Sequence, residues 1–174
     1  GVNYIINIIK ILNTLPSNEK PDLTVFYTKQ LSAELDKIKR LNYENIKFKE
    51  LNYYIPRVLN YLLSILFNKN YFFKKEFENF NSIYPFNDLP AHQITNVKLV
   101  SWIPDFQHKF YPNYFNKAHL ILREFKFKKI FKHSDITILS SKDSQDSLLN
   151  FYEYNRSVVV PFVSFIDSKN SVKF

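Results

Sequence analysis

Within the run Trp102-Ile103-Pro104-Asp105-Phe106-Gln107-His108, a carboxylate, an amide and an imidazole fall inside four residues. An apolar run, Val97 to Ile103, leads into them and reads as a buried strand that Pro104 stops. In an open α/β sheet, ligands bind in the crevice at the carboxyl ends of the strands. A strand ending this way is placed for chemistry. An imidazole with a reference pKa of ~6.5 is mostly neutral near pH 7, and it donates one hydrogen bond and accepts another. Asp105 could accept from a substrate hydroxyl or from its own loop. The plainer alternative is that Asp105 is a turn acid after proline and His108 a packing histidine. Position after a strand narrows the gap between the two readings.

Other candidates carry less. Gly1-Val2-Asn3 opens a helix, and backbone amides at a helix start bind phosphate readily. Ser140-Ser141 sits at a strand-to-helix junction, where capping alone accounts for Ser141. Lys126, Lys128, Lys129 and Lys132 make one helix lysine-rich, which reads as a solvated face rather than a nucleic-acid patch. His92, His119 and His133 lack ligand-like spacing, and the chain has no cysteine, so no metal site is expected. P-loop, G-x-S-x-G and H-E-x-x-H motifs are absent.

Helical periodicity covers Val2 to Leu15, with Ile8 and Ile11 widening the apolar face toward a well-buried helix. Leu23–Tyr27 reads as a short strand, and Ser32 as the cap of a helix over 33–41. Ile46–Leu51 is a weaker strand. A helix over 54–68 has a stripe of Leu59, Leu62, Leu63 and Leu66, and 68–81 could extend it. Ser82–Tyr84 reads as a short strand, and Pro85–His92 as a loop. Asn116 caps a helix over Lys117–His133 whose core stripe is Leu120, Phe127, Ile130 and Phe131. Ile136–Leu139 is a strand, Ser141 caps a helix running to about Tyr154, and Val158–Val160 closes the series. The alternation predicts an α/β fold: a Rossmann-like, doubly wound, mostly parallel sheet covered on both faces. It also predicts that Leu23–Tyr27, Val97–Ile103, Ile136–Leu139 and Val158–Val160 share that sheet.

With 174 residues the chain suits one domain, and 45% hydrophobic and 18% aromatic content argue against disorder. The longest apolar stretch, Val58 to Phe67, is far short of the ~20 residues of a membrane span. With no signal peptide evident, the simplest compartment is the cytoplasm. The net charge of +8 comes mostly from lysine in an Asn-, Ile- and Phe-rich chain, which reads as coding bias, although it would favour an anionic membrane surface or substrate. The single glycine is residue 1 and no methionine precedes it, so the sequence reads as starting inside a larger protein.

The segment Trp102 to His108, followed by Pro112-Asn-Tyr-Phe115 and Arg123, resembles the amino-terminal domain of group-one (family four) GT-B-fold glycosyltransferases. Gly1-Val-Asn-Tyr4 is similar to the start of that family's first helix, after its glycine-rich loop. Asp135–Ser141 and Val158–Val163 are similar to its later strands. The resemblance covers most of the chain and is most specific from Trp102 to Val163. It implies residues 1–174 as a single Rossmann-like, acceptor-side domain, incomplete at both ends, with the first strand missing. It further implies a hexosyltransferase-type enzyme that moves a sugar from a nucleotide-sugar donor to a glycan, lipid or other acceptor. Anomeric configuration would be retained without a metal or a cofactor. By carry-over, His108 and Asp105 would face the cleft as catalytic residues, and Gly1 would lie near the donor phosphates. The family's carboxyl-terminal nucleotide-binding domain would be the necessary partner. The enzyme would work in the cytoplasm, with possible peripheral contact at the inner membrane face and no nucleic-acid partner. This half alone would be inactive. The competing functions are a non-catalytic α/β binding module and a basic nucleic-acid-binding domain.

Overall fold

The structure, a computed structural model, describes residues 2–51, 57–67, 75–86 and 96–161. Gly1 and much of the 85–92 segment lie outside them. The described residues gather into two compact units, one up to residue 51 and one from 57 to 161.

The first unit runs α1 (Val2–Asn13), β1 (Leu23–Tyr27), α2 (Ser32–Lys39) and β2 (Ile46–Glu50). β1 and β2 pair in parallel, with Val25 opposite Phe48. The crossover through α2 brings β2 alongside β1, so these two form a sheet of their own. Leu23–Tyr27 therefore does not join the other expected strands; a helix crossover places its two strands side by side, and β1 takes β2 as partner. The core is Ile9, Ile38 and Tyr43, with Ile5, Leu12 and Phe48 half-buried against it. The Tyr43 hydroxyl donates to the Pro21 carbonyl at 2.8 Å. Of the two isoleucines expected to widen the apolar face of α1, Ile8 is half-buried and Ile11 is exposed. Ser32 is the first helical residue, not the cap, because a 3-10 turn at Lys29–Leu31 leads straight into α2.

The second unit runs α3 (Arg57–Phe67), a 3-10 turn (Lys75–Asn79), β3 (Ser82–Ile83), β4 (Lys98–Ile103), α4 (Gln107–Phe110), α5 (Lys117–His133), β5 (Ile136–Leu139), α6 (Lys142–Tyr152) and β6 (Ser157–Val159). The strands form one parallel sheet in the order β3-β4-β5-β6. The expected α/β class is thus present, with parallel strands compatible with a Rossmann-like sheet. Among the described strands the order follows the chain without reversal. Crossovers of one hand then send their helices to one face.

Burial agrees with that geometry. Leu99, Ser101 and Ile103 alternate with the exposed Lys98 and the half-buried Val100 and Trp102. Thr137 and Leu139 continue the buried face in β5. Against it pack Phe127, Ile130 and Phe131 of α5 and Leu148 of α6. Ile130, Leu139 and Leu148 are completely buried. The opposite face is only half covered among the described residues, with Val100 and Trp102 half-buried, so the expected two-sided burial is found there in part. At the centre, the Ser101 and Thr137 hydroxyls pair at 2.7 Å, which satisfies two polar groups inside the core.

Two local features need a physical reason. The leucine stripe of α3 points outward: Leu59, Leu62 and Leu66 are exposed, while Asn60 is buried and Leu63 half-buried. Periodicity identifies an apolar face but not what covers it. After α6, Glu153 takes the left-handed conformation at φ 52° that ends the helix, a place glycine usually fills. No described helix is long and apolar enough to cross a membrane.

Candidate functional site

β4 ends at Ile103, and Pro104 turns the chain out of the sheet. Its carbonyl is held from across the sheet by the Ser140 hydroxyl at 2.7 Å and the Ser144 hydroxyl at 3.3 Å. The Ser141 side chain caps α6 by accepting from the Ser144 amide at 3.1 Å. The two serines at the β5–α6 junction therefore fix the start of the loop and the start of the helix.

Asp105 makes a turn within the loop, its Oδ1 accepting from the Gln107 amide at 3.2 Å. The Arg123 guanidinium approaches the same oxygen at 3.5 Å. Arg123 lies over the rings of Phe115 and Phe127, at 5.4 Å and 5.5 Å. The Asp105 side chain keeps 39% of its surface in contact with solvent. Phe106, by contrast, is a core residue and meets Phe127 edge-on at 5.7 Å. Aspartate and phenylalanine in succession thus point one side chain outward and anchor the next.

His108 is buried, with 4% of its surface exposed. Its Nε2 lies 3.1 Å from the Tyr152 hydroxyl. That hydroxyl donates to Glu124 Oε2 at 3.0 Å, so its oxygen is left to accept from the ring. The bond pattern therefore assigns the proton of neutral His108 to Nε2. Glu124 Oε2 also takes the Lys109 ammonium at 2.7 Å, and Lys109 sits 4.8 Å from the centre of the Tyr152 ring. Glu124 Oε2 is 3.6 Å from His108 Nε2, a distance at which a charged pair would attract. Nδ1 is buried and has no hydrogen-bond partner among the described residues.

Electrostatics follow from this packing. Burial, followed by the nearby Arg123 charge, lowers the His108 pKa below its usual value and keeps the ring neutral; Glu124 pulls the other way and is outweighed. Burial pushes the Glu124 carboxyl upward, but bonds from Lys109 and Tyr152 win and hold it below the usual carboxylate range. Burial and the Glu124 charge raise the Tyr152 phenol well above its normal pKa, so it stays protonated. A relay of Lys109, Glu124, Tyr152 and His108 thus ties the loop after β4 to α5 and α6.

Asp105, Arg123 and His108 all gather near the carboxyl end of β4, but only Asp105 and Arg123 reach solvent. Gly1 lies outside the described residues. Among the described residues no three acidic or histidine side chains cluster to hold a metal. Sequence reasoning missed Glu124 and Tyr152. Tyr152 lies 44 residues from His108, and no short-range pattern links them. Set against protein-family models, curated proteins and solved structures, the chain matches none of them.

Proposed function

We propose that this chain is the acceptor-side domain of a GT-B-type sugar transferase that uses a nucleotide-sugar donor. One observation carries the reading: the segment Trp102–His108 leaves the carboxyl end of a strand in a parallel α/β sheet, where such sheets bind ligands. Asp105 and Arg123 are the groups there that can meet an acceptor, a carboxylate accepting from a hydroxyl and a guanidinium donating to one. His108 acts behind them, holding the loop through Tyr152 and Glu124. On this reading the donor is held by the carboxyl-terminal nucleotide-binding domain that the resemblance implies. The reading puts the work in the cytoplasm, beside an anionic membrane face that the +8 charge would favour.

The test supplies the gene product, as encoded, with a panel of labelled nucleotide sugars and with glycan and lipid acceptors. Transfer of label supports the reading; a full panel without transfer refutes it. The burial of His108 favours a second reading, a binding module that uses the same loop without chemistry. Saturable glycan binding with no turnover would select it.

A further inference from the structure

A cleft of about 460 Å³ opens between the carboxyl-terminal halves of α5 and α6. It lies where the chain enters β6, at the end of the sheet opposite the Trp102–His108 loop. Its size falls within the ~300–1,000 Å³ of small-molecule sites. Its wall is cationic: Lys128, Lys132 and Arg156 line it against one carboxylate, Glu153. All four are exposed, and no carboxylate among the described residues lies within ion-pair distance of the three cations. Two of the four lysines that read as a plain solvated helix face, Lys128 and Lys132, therefore border a concave surface.

The floor is aromatic. Phe131 and Tyr154 are core residues in contact at 5.2 Å, and the Tyr154 hydroxyl donates to the Ser134 carbonyl at 3.1 Å. Arg156 is pre-positioned over the Tyr154 ring at 5.3 Å. Its guanidinium also reaches the Phe131 carbonyl at 3.5 Å. Three cations face one lining carboxylate, and the Glu124 charge near Lys128 offsets part of the excess, so the opening stays net positive. A planar fork beside two ammonium groups matches the several oxygens of a phosphate, which accept from many directions.

We infer that this cleft is a binding site for a small soluble phosphorylated molecule carrying at least two negative charges. The site does not rest on the sugar-transfer reading: it shares Tyr152 with the relay behind the loop, but neither Asp105 nor Arg123.

The experiment titrates the isotope-labelled 174-residue chain with inorganic pyrophosphate at constant ionic strength, following amide resonances by NMR. Succinate and chloride are the comparison anions. The expected result is saturable shifts confined to residues 128–132 and 150–157, with half-saturation below ~1 mM. The exposed lysines are the positions to substitute, since Arg156 also covers Tyr154. Lys128→Gln and Lys132→Gln should each weaken binding several-fold, and together about tenfold or more, with an unchanged melting temperature. Shifts that follow only ionic strength, equal binding of succinate, or undiminished binding in the folded double variant would each overturn the inference. So would single-stranded RNA binding spread over the lysines of both units.

Discussion

Removing the Tyr152 hydroxyl by Tyr152→Phe tests the relay that holds the loop. The ring stays, so no cavity opens and the contacts with Phe106 at 5.7 Å and Phe131 at 4.9 Å persist. The hydroxyl loss leaves the buried Nε2–H of His108 without its acceptor at 3.1 Å. An unsatisfied buried donor costs ~1–3 kcal/mol. Glu124 adds little to that, because it keeps Lys109 at 2.7 Å and is partly solvated. Glu124 Oε2 can take over part of the lost bond, so the expected loss is ~1–2 kcal/mol, or a melting temperature lower by ~2–8 °C for a chain of this length. A second signature separates this from a packing defect. Without Tyr152 to accept, the ring can turn to Glu124 Oε2, now 3.6 Å away, and the His108 pKa should rise. Denaturant unfolding and an NMR pH titration of the His108 ring read both effects. A loss under ~0.5 kcal/mol with an unchanged His108 titration would refute the relay.

Two further outcomes follow from the same packing. Because the folded His108 pKa is depressed, its contribution to stability is fully present above the unfolded value of 6.5 and is lost as pH falls through the folded value. Glu124 adds a second acid limb below 4.5, and the raised Tyr152 pKa makes stability fall as pH rises above 10. Unfolding midpoints measured from pH 2 to 11 should show all three limbs, and Tyr152→Phe should weaken the alkaline one, to which the raised Tyr43 and Tyr154 also contribute. In the core, Thr137→Val leaves the Ser101 hydroxyl stranded and should cost ~1–3 kcal/mol, whereas adding Ser101→Ala should restore most of the loss. Equal stability of the single and double variants would refute the pairing.

Local signals account for the parts of the fold that were legible in the sequence. Asn116 accepts from the His119 amide at 2.7 Å and starts α5 where the sequence places it. Leu23–Tyr27 and Ile136–Leu139 also keep their expected bounds, because short β-branched and aromatic runs bounded by polar residues have few alternatives. Partnership was less legible. The same strand pattern does not say that, among the described strands, β1 takes only β2 as partner, nor that Leu59, Leu62 and Leu66 face solvent. At the candidate site the loop was legible from Pro104 and its polar residues. The burial of His108 was not, since it depends on Glu124 and Tyr152 arriving from two other helices.

The most direct test of the central claim compares turnover and melting temperature for Asp105→Asn and His108→Ala in the gene product as encoded. If the loop after β4 serves sugar transfer, Asp105→Asn should lower kcat by ~10²-fold with little change in melting temperature. His108→Ala should lower both turnover and melting temperature, because it empties a buried position and breaks the relay. Near-normal turnover in folded forms of both variants would contradict the account and leave the loop a structural element.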